Sequence, residues 1–148
     1  MSQQSESVLN GVLIDMARSF LQYVAEASPW VSTQDHSVEE QVNTIAARQR
    51  QDVADVVTLL TAREHFIDFG SFPTEYTDLQ FIALEALFDS LHKSQLTVCD
   101  SIASALSELS KSDDEEAVQL LTAIKTRQTE AAAALKSVQE ELTAAAAD

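Results

Sequence analysis

The sequence predicts an all-α protein, specifically a four-helix bundle with one long connection between its second and third helices. Its 148 residues include only two glycines and two prolines, which leaves little material for hairpin turns. Apolar residues recur at helical spacing in four long segments. The length suits one domain with its own core, so we expect a single domain over 1–148, with about 1–6 and 143–148 frayed.

The first two helices are predicted from apolar stripes and from residues that favour helix ends. The first covers 7–28, and Pro29 ends it because a proline ring and the residue before it resist helical geometry. The second covers 37–63, and Ser37 followed three positions later by Glu40 is typical of a helix N-terminus.

An aromatic-rich segment, 64–76, separates the second and third predicted helices. It lacks helical periodicity and contains Gly70 and Pro73, which interrupt regular structure. Thirteen extended residues reach roughly 40 Å, about the length of a 27-residue helix. The segment is therefore long enough to cross the bundle from end to end, although a loop that caps one end is the alternative.

The third helix is predicted over 77–110 and the fourth from about Asp113 to the frayed end. Thr77 with Gln80, and Asp113 with Glu116, repeat the pattern of a helix N-terminus. The turn between the two helices is short, so we expect them to be antiparallel neighbours.

The acidic composition excludes several classes of partner. The chain carries 24 acidic and 9 basic residues, for a net charge of −15. Such a surface repels nucleic-acid phosphates and anionic lipids, so we expect no binding to nucleic acid or to membranes. The single cysteine, Cys99, excludes an intrachain disulfide. The amino terminus shows no basic region followed by an apolar core, so we expect a cytoplasmic protein.

The first helix carries a string of residues with a familiar spacing: Leu9, Asn10, Leu13, Ala17, Gln22 and Tyr23. This string resembles the opening helix of bacterioferritin-like and rubrerythrin-like proteins in the ferritin-like superfamily. The short, long and short order of connections is also that of ferritin-like bundles rather than of simple up-and-down ones. The resemblance implies a pair of iron ions held at mid-bundle by glutamates and Glu-x-x-His motifs from four helices.

Other residue types occupy the ligand positions that the resemblance implies: Met16, Gln49, Asp52, Gln95, Gln128 and Ala131. Neutral amides and a thioether cannot balance the charge of two ferrous ions, and a single carboxylate is not enough. We therefore interpret the chain as a ferritin-like bundle that lacks the di-iron ligand set and holds no cofactor. We expect the three glutamines to hydrogen-bond one another in the interior.

The best local pattern for a metal ion is formed by Glu85, Asp89 and His92. Their spacing of four and three residues aligns them along one side of a helix. Asp89 points away from the apolar stripe and can pair with Lys93, so an ordinary solvated face is the favoured interpretation. Phosphotransfer at His92 is disfavoured because the third helix has no glycine beside it to admit a phosphate. No catalytic motif was found.

These patterns predict a metal-free structural or protein-interaction module without catalytic residues. Ile82, Ala83 and Ala86 give the third helix a second, weakly apolar face, so we expect a homodimer or another protein partner. One alternative is a di-iron or mononuclear metal-binding oxidase or ferroxidase with an atypical ligand set. Another alternative is a bundle unrelated to ferritins, with up-and-down connections. The direction of the third predicted helix relative to the second would distinguish such a bundle from a ferritin-like one.

Overall fold

The computed structural model describes residues 2–27, 36–79 and 83–147, and within them the protein is all-helical, as the sequence predicts. The described α-helices are α1 (Ser2–Ala17), α2 (Phe20–Ala27), α3 (His36–Ala62), α4 (Phe88–Leu109) and α5 (Glu115–Ala147). Two 3-10 helices, Thr74–Leu79 and Leu84–Leu87, precede α4. Across these ranges, no helix is both long and apolar enough to cross a membrane.

Two apolar clusters fill the interior, one toward each end of the long helices. The first joins α1 to the carboxyl-terminal halves of α3 and α4 and to the beginning of α5, through Leu13, Val56, Ile102 and Leu121. The second joins α2 to the amino-terminal halves of α3 and α4 and to the end of α5, through Val24, Val42, Leu91 and Leu135. Hence α3 and α4 run in the same direction, opposite to α1, α2 and α5. Both α1 and α5 pack against α3 and α4.

The prediction of one continuous helix over 7–28 is wrong, because the chain turns just before Phe20, between α1 and α2. The Oγ of Ser19 accepts a hydrogen bond from the amide of Gln22 at 3.4 Å, as the cap of a helix N-terminus does. The amide of Phe20 donates to the Oγ of Ser94 in α4 at 3.2 Å. Side chains therefore satisfy amides that the break releases.

The third predicted helix, 77–110, also differs from the helix in the structure, α4. The regular helix α4 begins only at Phe88, after the 3-10 turn Leu84–Leu87. No side-chain cap marks that start, since the preceding residue, Leu87, makes no capping hydrogen bond. The predicted partner of Thr77, Gln80, lies outside the described residues.

The fourth predicted helix corresponds to α5. It begins one residue later than predicted, because Asp114 rather than Asp113 caps it. The Oδ1 of Asp114 accepts a hydrogen bond from the amide of Ala117 at 3.2 Å. Within the two terminal segments that we expected to fray, the described residues, 2–6 and 143–147, are helical.

The segment after α3 is fixed to α1 by polar contacts. The side-chain amide of Asn10 donates to the backbone carbonyl of Asp68 at 2.9 Å and accepts from its amide at 3.0 Å. The Nε of Arg18 donates to the carbonyl of Phe69 at 3.0 Å. Gly70 has a φ of 67°, and a Cβ there would lie 2.8 Å from the side chain of Ile14. Only glycine therefore fits this close approach.

The segment then reaches α2 through an aromatic cluster. The ring of Phe72 packs against Tyr23 with centroids 5.3 Å apart, and Tyr76 packs against Phe20 at 5.0 Å. Burial, with a smaller contribution from Glu75, raises the pKa of Tyr76. The chain between α3 and α4 thus contacts α1 first and α2 afterwards.

Candidate functional site

Six buried polar residues lie between the two apolar clusters and form what we call the amide layer: Ser19, Gln22, Gln49, Asp52, Gln95 and Gln128. Each is at most 4% exposed. They come from the α1–α2 junction, α2, α3, α4 and α5. Buried polar groups at this depth are costly unless each finds a hydrogen-bond partner.

The three predicted glutamines bond to one another, as the sequence analysis expected. The Nε2 of Gln49 donates to the Oε1 of Gln95 at 3.2 Å and to the Oε1 of Gln128 at 2.9 Å. The Nε2 of Gln95 donates to the Oε1 and to the backbone carbonyl of Gln128, at 2.8 and 3.0 Å. The Nε2 groups of Gln49 and Gln95 therefore have two acceptors each.

The α1–α2 junction extends the layer toward the surface. The Oε1 of Gln49 accepts hydrogen bonds from the Oγ of Ser19 at 2.9 Å and from the Nε2 of Gln22 at 2.8 Å. The same Nε2 donates to the carbonyl of Ala46 at 2.9 Å. The guanidinium of Arg50 donates to the Oε1 of Gln22 at 3.1 Å, so a cation stands at this end.

A carboxylate stands at the other end of the layer. The Oδ2 of Asp52 accepts from the Nε2 of Gln128 at 2.7 Å, and its Oδ1 accepts from the Nε of Arg127 at 2.6 Å. Donors therefore point in one direction through the layer, from Arg50 through Gln22, Gln49 and Gln128 to the carboxylate. Amide dipoles aligned in this way stabilise its negative charge, and the guanidinium of Arg127 balances it.

The structure brings together four of the six positions that the resemblance singled out: Gln49, Asp52, Gln95 and Gln128. The other two lie elsewhere, since Met16 belongs to the first apolar cluster and Ala131 packs against the second. Sequence reasoning missed Ser19, Gln22 and Arg127 as members or partners of the layer. Gln22 was in the familiar string of the first helix, but nothing in that pattern indicated that it points inward.

Of the three metal candidates on the third predicted helix, the structure describes the side chains of Asp89 and His92. Asp89 is exposed and accepts a hydrogen bond from the Nε2 of Gln139 in α5 at 2.6 Å, instead of pairing with Lys93 as predicted. His92 is half-buried, and the side chain of Glu85 lies outside the described residues. In the described part of the chain, no group of three or more histidine, cysteine or acidic side chains is placed to hold a metal ion.

Two of the three residues of the predicted dimer face, Ala83 and Ala86, lie in the described part of the chain. Ala83 is half-buried and Ala86 exposed, whereas Ile82 lies outside the described residues.

Cys99 is half-buried, and burial raises the pKa of its thiol despite a hydrogen bond with Thr129. A raised pKa makes this thiol less reactive than a free cysteine.

A second polar cluster lies at the end of α3. The guanidinium of Arg63 contacts the carboxylates of Asp114 at 2.6 Å, Glu116 at 3.2 Å and Glu6 at 3.4 Å. Hydrogen bonding to Arg63 lowers the pKa of Asp114 to about 2, and it raises the pKa of Arg63 in turn. The Oε2 of Glu6 is buried without a hydrogen-bond partner among the described residues. The cluster joins the end of α3 to both α1 and α5.

No protein-family model matches the chain, and no curated protein matches it significantly. The geometry of the amide layer and its surroundings therefore carries the functional conclusion.

Proposed function

We propose that this cytoplasmic protein is a metal-free, ferritin-like four-helix bundle that acts as a structural or protein-interaction module. The observation that carries the proposal is the amide layer. It includes four of the six positions at which the resemblance to ferritin-like bundles would place iron ligands, and its side chains are bound to one another.

The directions of the helices support the ferritin-like part of the proposal. In a simple up-and-down bundle, helices joined in sequence are antiparallel, whereas α3 and α4 run in the same direction. A chain that leaves α3 must then cross to the opposite end before α4 begins. The contacts of Asn10 with Asp68, and of Phe20 with Tyr76, are those expected for such a crossover.

The donor set of the layer does not fit a pair of iron ions. Such a pair requires about four carboxylates and two imidazoles, and the layer supplies one carboxylate, three neighbouring amides and another from Gln22. Both oxygens of Asp52 already accept short hydrogen bonds, from Arg127 and Gln128. A metal ion would have to displace the guanidinium of Arg127 from Asp52, the one carboxylate within the layer, and the remaining members would offer it only neutral ligands.

Two exposed aromatic rings support a role in binding another protein. Phe66 is 84% exposed and Phe69 is 45% exposed, and both lie on the segment that Asn10 and Arg18 fix to α1. Because the backbone of this segment is anchored at Asp68 and Phe69, less conformational entropy is lost there on binding than in a free loop. A second copy of the chain is the simplest such partner. A concentration-independent monomer mass in light scattering would contradict a dimer.

Metal analysis tests the central claim. The protein would be produced in iron-supplemented medium and its iron content measured by inductively coupled plasma mass spectrometry, together with the Asp52→Asn variant as a matched control. We expect trace iron, well below one ion per chain, in both proteins. Stoichiometric iron that disappears in Asp52→Asn would overturn the proposal and support the metal-binding oxidase instead.

A further inference from the structure

A cavity of about 470 Å³ opens between α3 and α5, beside the amide layer. Its lining includes three members of the layer and three apolar residues: Gln49, Asp52, Gln128, Ile45, Ala131 and Ala134. The volume and the mixture of apolar surface with a few buried polar groups are typical of sites for small organic molecules.

The charges around the cavity favour a cation. Three carboxylates line it, those of Asp52, Asp55 and Glu130, against the two guanidinium groups of Arg48 and Arg127. The excess of one negative charge lies within a chain whose net charge is −15. An anionic ligand would be repelled, whereas a cation would be concentrated at the mouth of the cavity.

The protein already places a guanidinium on this pair of carboxylates. The Nε of Arg127 lies 2.6 Å from Asp52, and one of its terminal nitrogens lies 3.7 Å from Asp55. The two carboxylates are therefore spaced so that one guanidinium bridges them. The side chain of Arg127 is 44% exposed, whereas that of Asp52 is 2% exposed. Each oxygen of Asp52 has one hydrogen-bond partner in the described structure and has capacity for a second.

We propose that this cavity binds a small organic cation with a guanidinium head and a short aliphatic chain. The head replaces the guanidinium of Arg127 on Asp52 and Asp55, and the chain packs against Ile45 and Ala134. The exchange leaves the buried carboxylate paired, which avoids the large cost of an uncompensated buried charge. The displaced side chain of Arg127 moves from a partly exposed position into water, which costs little.

Isothermal titration calorimetry with n-butylguanidinium tests the proposal, with butyrate as the anionic probe. We expect butylguanidinium to bind and butyrate not to bind. Arg127→Gln removes the internal competitor, so butylguanidinium should bind about tenfold more tightly than to the unaltered protein. Asp55→Asn removes one carboxylate and should weaken binding about threefold. Absence of binding to both the unaltered protein and Arg127→Gln in the millimolar range, or equal binding of butyrate, would overturn the proposal.

A matched pair of variants separates the cavity from general surface effects and does not depend on the stability of Arg127→Gln. Ala134 lines the cavity, whereas its neighbour Ala133 is exposed and does not. Ala134→Leu should obstruct the apolar part of the cavity and weaken binding of butylguanidinium about tenfold, and Ala133→Leu should leave it unchanged. Equal affinities in the two variants would show that the ligand binds outside the cavity.

Discussion

Replacing Gln128 with leucine removes the side chain that connects the two halves of the amide layer. Its Oε1 accepts hydrogen bonds from Gln49 and Gln95, and its Nε2 donates to Asp52. Leucine has nearly the same size, so the variant tests the loss of polar contacts with little change in packing volume.

The expected cost follows from the partners that the variant leaves behind. The Oδ2 of Asp52 loses its one donor, and a hydrogen bond to a charged group contributes about 1.5–3 kcal/mol. Gln49 keeps the Oε1 of Gln95 as an acceptor, and Gln95 keeps the backbone carbonyl at position 128. These two amides therefore lose about 1 kcal/mol together. Burial of the leucine offsets roughly 1 kcal/mol, so the free energy of unfolding should fall by about 1.5–3 kcal/mol.

Urea unfolding followed by the helical circular dichroism signal measures this cost, with Gln51→Leu as the control. Gln51 is an exposed glutamine of α3 whose Nε2 donates a surface hydrogen bond to Asp55 at 3.1 Å, so its replacement should change stability by less than about 0.5 kcal/mol. If the stranded carboxylate is the cause, Asp52→Leu should cost less in the Gln128→Leu background than alone, by at least about 1 kcal/mol. Additive costs, or a loss below about 1 kcal/mol for Gln128→Leu, would refute the reasoning.

Three further predictions concern the ends of helices and the segment after α3, and urea unfolding measures each of them. Glu64 ends α3 with a φ of 55°, so Glu64→Gly should raise the free energy of unfolding by about 1 kcal/mol, and Glu64→Ala, which keeps the strain, should not. Gly70→Ala should lower the free energy of unfolding by about 1–3 kcal/mol, because a Cβ there combines a positive φ with a 2.8 Å contact to Ile14. An unchanged stability would contradict the close docking of the segment. Arg63 lowers the pKa of Asp114 from 3.8 to about 2, so their ion pair stabilises the protein above about pH 4. The free energy of unfolding should therefore fall by about 1 kcal/mol as the pH falls toward 2. Asp114→Asn keeps the helix cap but should abolish this acid dependence, and an identical pH profile in that variant would count against the assignment.

Regular apolar stripes made the long helices predictable. The second predicted helix, 37–63, corresponds within one residue at each end to α3, His36–Ala62, because its stripe is long and nearly uninterrupted. The same regularity exposed the polar exceptions Gln49, Gln95 and Gln128. A polar residue at a core position must find a partner, so three such residues at similar depth predicted mutual hydrogen bonds.

The break between α1 and α2 could not be predicted, because long-range contacts stabilise it. The apolar stripe continues through this region, and no proline or glycine interrupts it. The amide of Phe20 that the break releases is satisfied by Ser94, which is 74 residues away in sequence. The same turn lets the Oγ of Ser19 cap α2 and donate to Gln49. Local propensity carries no information about partners on other helices.

The amide layer also explains how helices with such repetitive stripes keep one alignment. The buried positions of α5 recur every three or four residues, and all but Gln128 are apolar: Ala117, Leu121, Ile124, Gln128, Ala132, Leu135 and Val138. A slip of α5 by one turn would therefore still bury apolar residues. That slip would move Gln128 out of the layer and bring Ile124 or an alanine opposite Asp52 and Gln95. Their buried polar atoms would then lose partners, at about 1–3 kcal/mol for each group. A buried polar layer of this kind fixes the register of the helices, as a single buried asparagine does in coiled coils.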